Sequence, residues 1–151
     1  MTRELHFIHE CRCYVVRWLS NPSIAAARDH WQSLIEDPEF ELGYSALHDM
    51  RGREFTKTYE ETVSERDVYR RDVEPRVGDG RTAILVDSVA TYGQARQMTL
   101  MLNLEDSSVV TYSEEEAKRW VGLPAEYVFP YRVAAPKSSD PGAETQGTAS
   151  S

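Results

Sequence analysis

Three times in this chain a short apolar run leads to a hydroxyl residue able to cap a helix, and helix-spaced apolar residues follow. Cys13 to Leu19 leads to Asn21-Pro22-Ser23, a cap with proline in the first turn. Tyr44 to Met50 leads to Thr58-x-x-Glu61, and Ser107 to Tyr112 leads to Ser113-x-x-Glu116, both in the form of a capping box. A fourth segment, Arg81 to Val86, holds a continuous apolar run of the kind buried on both faces of a sheet. Tyr92, Ala95, Met98, Thr99 and Leu102 follow it at helical spacing. Strands alternating with helices in this way predict an α/β domain with a mainly parallel sheet. At the front, Leu5 to Glu10 and Cys13 to Leu19 suit an antiparallel hairpin. The expected order is β-β-α-β-α-β-α-β-α, with about four helices.

The apolar stripes set the element limits. Ile24, Ala27, Trp31, Leu34 and Ile35 make one helical face, and Asp37-Pro38 stops that helix. The helix opened by Thr58 is charged and thinly apolar (Tyr59, Val63, Tyr69, Val73) and is expected to run to about Glu74 on the surface. Ala117, Trp120 and Val121 stripe the last helix, which Gly122 and Pro124 end. Residues 1–123 therefore read as one domain. In 124–133, Tyr127, Phe129 and Tyr131 alternate with other residues, which suits an extended segment packed on the domain or an edge strand. From Ala134 to Ser151 the only apolar side chains are alanines, so a disordered tail is expected.

Composition narrows the function classes. Of 151 residues, 17 are Lys or Arg and 25 are Asp or Glu, a net charge of −8. That balance gives no electrostatic footprint for nucleic acid or an anionic membrane. No apolar run approaches the ~20 residues that span a bilayer. Met1 to His6 has charges but no apolar h-region, so no secretory signal is expected. A cytoplasmic protein is the resulting expectation. In the tail only Lys137, Asp140 and Glu144 are charged, so the acidity belongs to the domain, largely in first helical turns where it complements the dipole.

Five stretches, taken in order, resemble the SpoIIAA-like branch of the STAS superfamily, the fold shared by anti-sigma-factor antagonists and sulfate-transporter domains. They are Asp37-Pro38-Glu39-Phe40 with Gly43, then Leu47-His48-Asp49-Met50-Arg51, then Gly80 to Val86, Tyr92 to Met98, and Ala117 to Val121. The resemblance covers about residues 4–123. It implies a non-enzymatic bacterial regulatory or binding module that acts on a protein partner, with a homodimer among the candidates. In anti-sigma-factor antagonists a strand ends in Asp, and a serine nine residues on caps the next helix and accepts a phosphate. Laid on this chain, Asp49 is that Asp, Gly52 and Phe55 also match, and the phosphoacceptor position falls on Thr58. The family's Asp-Ser-x-Gly signature is replaced by Lys57-Thr58-Tyr59-Glu60, and Thr58 serves equally as a plain N-cap.

Ligands of open α/β sheets bind beyond the carboxyl ends of the strands. Here those ends carry Asp49, Arg51, Asp87 and Ser88, with Tyr92 and Arg96 on one helix face near the same edge. Asp49, Arg51, Asp87, Tyr92 and Arg96 are the candidate binding residues, with Arg96 expected to pair with Asp49 or Asp87. His9-x-Cys11-x-Cys13 is not followed by a second ligand pair, so no metal is assigned and the cysteines are taken as hairpin residues. No nucleophile elbow, P-loop or Gly-x-Gly-x-x-Gly occurs, and His48 and Asp49 point to opposite faces of one strand. No catalytic residue and no cofactor are therefore assigned. Trp18, Trp31 and Trp120 are taken as core. The rival to the regulator is a pocket for a small apolar or lipid ligand, with enzyme-like activity open to it, under the thinly apolar helix 58–74.

Overall fold

Two strands open the chain, β1 (Arg3–Ile8) and β2 (Cys13–Trp18), paired antiparallel with Ile8 opposite Cys13. The computed structural model describes residues 3–20, 23–55 and 57–133, so the Asn21-Pro22 step and the expected tail 134–151 lie outside the described residues. Between β1 and β2, His9–Cys11 form one 3-10 turn, which Arg12 closes in the left-handed region at φ 53°. Cys11 therefore stands in a turn and does not share a strand face with Cys13; both thiols are free.

β3 (Ser45–Asp49), β4 (Thr82–Leu85) and β5 (Ser108–Thr111) add in parallel, giving one five-stranded sheet in the order β1-β2-β3-β4-β5. The chain is thus α/β with a mixed sheet. The connections are α1 (Ile24–Glu36), α2 (Tyr59–Val68) with α3 (Glu74–Val77), and α4 (Val89–Met101). Right-handed crossovers that always advance in one direction put every connecting helix on the same face. The other face would then be bare. It is covered by α5 (Glu114–Val121) and the segment after it: Ala117, Val121, Leu123 and Phe129 bury against Val15, Leu47 and Leu85.

Strand alternation sorts the side chains between the two layers. In β2, Cys13 and Val15 join the α5 layer, whereas Tyr14, Val16 and Trp18 join the layer of Leu34 and Phe55. In β3 the neighbours His48 and Asp49 likewise part, His48 among Trp18, His30 and Trp31, Asp49 against Tyr131. Residues 124–133 enter no strand. Lys118, buried on α5, holds them by donating to the carbonyls of Tyr127 at 2.6 Å and Ala125 at 3.4 Å.

The helix expected to continue to Glu74 departs from α-geometry at Val68. Residues Tyr69–Val73 form a wider π-helical turn before α3 resumes with Pro75 in its first turn. Proline has no N–H to return to the carbonyl four residues back, and its ring crowds that carbonyl. The turn preceding Pro75 relaxes by widening. No helix among the described residues is long and apolar enough to cross a membrane.

Candidate functional site: a cavity between the sheet and three helices

The polar residues at the strand ends do gather, but largely to bind one another. Asp49, 3% exposed, accepts from Arg51 Nε at 2.9 Å and Nη2 at 2.8 Å, from the Arg51 N–H, and from the Tyr131 hydroxyl at 2.7 Å. Arg51 also reaches Glu114 at 2.8 Å and lies over the Phe129 ring. Burial lowers the Arg51 guanidinium's pKa, yet its bonds to Asp49 and Glu114 outweigh this and leave it above the usual arginine value. Asp87 accepts from the Gly52 N–H at 2.8 Å; burial lifts its carboxyl above the ordinary value against that bond and the Arg51 charge. Arg51, Asp49 and Tyr131 line a cleft of about 20 Å³, room for roughly one water.

Two residues of the expected group lie apart from it. Among the described residues Arg96 makes no ion pair with Asp49 or Asp87: it is exposed on α4, and Arg51, two residues from Asp49, already fills that role. Tyr92 stacks on Tyr112 with ring centroids 5.2 Å apart. Thr58 sits as the N-cap of α2, its hydroxyl accepting from the Glu61 N–H at 3.1 Å while the Glu61 carboxylate accepts from the Thr58 N–H at 2.9 Å. Thr58→Ala is therefore expected to lower unfolding free energy by about 1 kcal/mol, read by urea denaturation.

The larger opening lies on the opposite side of the sheet, under α1, α2 and α4. It is a cavity of about 150 Å³. The sheet supplies Trp18, His48 and Ile84 as its floor, α1 supplies His30 and Trp31, and α4 supplies Ala95 and Met98. Tyr69 enters at the start of the π-helical turn and meets Trp31 edge-on at 5.5 Å. The loop before α2 is latched to α4, with Phe55 N–H donating to Thr91 and Lys57 N–H to Gln94. Lys57 and Glu65, both of which line the cavity, neutralise each other in an ion pair.

Two histidines are the cavity's distinctive polar groups. Trp18 Nε1–H donates to His48 Nδ1 at 3.1 Å. Indole can only donate, so Nδ1 is the bare nitrogen and the ring's proton sits on Nε2. His30, 2% exposed, packs between Trp18 and Trp31 and has no hydrogen-bond partner for either ring nitrogen among the described residues. Burial, with the charges of His48 and Arg3 adding to it, pushes His30 down to about 2; burial alone takes His48 to about 4. Both rings are neutral near pH 7 and offer hydrogen bonds without charge.

Neither histidine announces itself in the sequence. His30 occupies a place in the apolar stripe of α1, between Ala27 and Leu34, and that was the available signal. The tryptophans expected to be plain core are walls of the cavity as well. Among the described residues no three His, Cys, Asp or Glu side chains cluster in a way that could hold a metal ion, and burial, with Cys11 and Glu10 nearby, pushes the Cys13 thiol up to about 12. Set against known proteins, the chain matches no family model, no curated protein and no solved structure, so its function is argued from this geometry.

Proposed function

We propose that this chain is a small-molecule-binding module whose site is the cavity between the sheet and α1, α2 and α4. The observation that carries this reading is the opening of about 150 Å³ walled by Trp18, Trp31, Tyr69 and Met98. Protein interiors are close-packed and hold few voids larger than a water. A mostly apolar concavity with a few convergent polar groups is the usual form of a ligand site. Binding is favoured over catalysis because a general base works best with a pKa near the working pH, and both histidines are held well below it. The similarity to the SpoIIAA-like branch of the STAS superfamily belongs to this proposal, and with it a bacterial, cytoplasmic setting; the α/β order with its antiparallel first pair supports it.

A second reading keeps the module as a regulator of a protein partner. It is favoured by the exposed Thr58 hydroxyl at the start of α2, where an added phosphate would meet the helix dipole and displace the Glu61 carboxylate from its capping bond. Native mass spectrometry of the protein purified from its host separates the two. A retained small molecule supports the pocket. A retained protein or a phosphate on Thr58 with an empty cavity supports the regulator and sets the pocket aside.

A further inference from the structure

His30 is a buried ring with a donor and an acceptor that no described residue satisfies, and it lines the cavity. Native proteins pair nearly all such groups, because an unpaired one forfeits the hydrogen bonds it made to water. His48, its Nδ1 taken by Trp18, keeps Nε2–H for another partner, and its ring centroid lies 6.0 Å from that of His30. An oxygen at ordinary hydrogen-bond distance, about 2.8 Å, can be shared by two imidazoles at that spacing. We propose that the His30–His48 pair reads the ligand's polar group, and that the ligand is an uncharged, ring-sized apolar molecule carrying one hydroxyl, a phenol in chemical class. The inference rests on the pocket reading above.

Three properties of the cavity select that class. Its volume matches that at which an apolar protein cavity takes up benzene. Its hydrogen-bonding pattern suits a hydroxyl, which donates to the bare nitrogen of His30 while accepting from the His48 N–H. A carbonyl has no donor for the bare nitrogen and can meet only N–H groups. Its charge is balanced: Lys57 is already neutralised by Glu65, so a carboxylate would be buried without a counter-ion.

Calorimetric titration of the native protein with phenol, toluene and benzoate tests this. Toluene and phenol are nearly the same shape, and a purely apolar cavity prefers toluene because the hydroxyl must shed its water. The expected order is phenol first, by about tenfold over toluene, given the strength of a buried pair of hydrogen bonds. Benzoate is expected to bind least. His30→Phe keeps a ring in place and removes both nitrogens, and it should restore the toluene preference; the native comparison decides if that variant does not fold. Toluene binding as well as phenol, or benzoate binding tightest, overturns the histidine-pair inference and leaves the pocket standing. No binding of any of the three at millimolar concentration overturns the pocket itself.

Discussion

Acidification from pH 7 to pH 5 is expected to cost the folded domain roughly 3–4 kcal/mol, from about 1.4 kcal/mol per pH unit for each of two buried histidines. In the unfolded chain both rings take up a proton near their ordinary value of 6.5. In the folded chain burial keeps His30 neutral to about 2 and His48 to about 4. Below pH 6.5 the unfolded state therefore binds more protons, and stability falls with pH until the folded values are reached.

Two carboxylates with lowered values enter lower. Glu61 is held below its ordinary 4.5 chiefly by the Thr58 N–H, and Glu114 by Arg51 and Lys118 in spite of its burial, so both lose their contribution only beneath that value. The window between pH 6.5 and 5 belongs to the histidines. Urea midpoints at pH 7, 6 and 5 measure it. His30→Phe should remove about half of the slope, since one of the two suppressed protonation steps is gone. Equal slopes in the native protein and the variant would mean that His30 is not the source.

The parts of the fold written into short stretches of sequence were legible, but of the cavity only its place under the helix from Thr58 was, and its lining was not, for a physical reason. Ser23, Thr58 and Ser113 each cap the helix that follows, because a cap is a contact between residues three apart. The antiparallel opening and the parallel remainder follow from the strand–helix alternation. The cavity joins Trp18, His30, His48, Tyr69 and Met98, which no local pattern connects. The thin apolar face of the helix from Thr58 was its one trace, a helix with too little to fill the space beneath it. At the strand ends Asp49 and Arg51 do meet, but among the described residues the expected pairing with Arg96 is absent. Arg96 suited Asp49 by position along α4, but Arg51 is two residues from Asp49 and gains a bidentate bond with little chain to order. Such proximity outcompetes a long exposed side chain from another element.

Asp49→Asn is expected to lower unfolding free energy by about 3 kcal/mol, near the lower end of what breaking a buried ion pair costs. The carboxylate accepts four hydrogen bonds from Arg51 and Tyr131 in a site 3% exposed. An amide matches its shape but can offer only one acceptor oxygen, so its N–H₂ group is turned either toward the guanidinium, which can only donate, or toward the phenol, which must then accept instead. Arg51 keeps Glu114, which limits the loss. Tyr131 keeps nothing equivalent: burial and then Asp49 hold its phenol above the ordinary pKa, and its hydroxyl donates to Asp49. Tyr131→Phe should thus be costly in the native protein and nearly neutral once Asp49 is asparagine, a coupling that a double-mutant cycle in urea reads directly. Because Tyr131 fastens the end of the segment covering the α5 face, Asp49→Asn should also raise amide exchange along 127–132 while the strands remain protected. A loss below about 0.5 kcal/mol would place these charges among ordinary solvated surface pairs, and the strand ends would again be open to a ligand rather than committed to holding the domain closed.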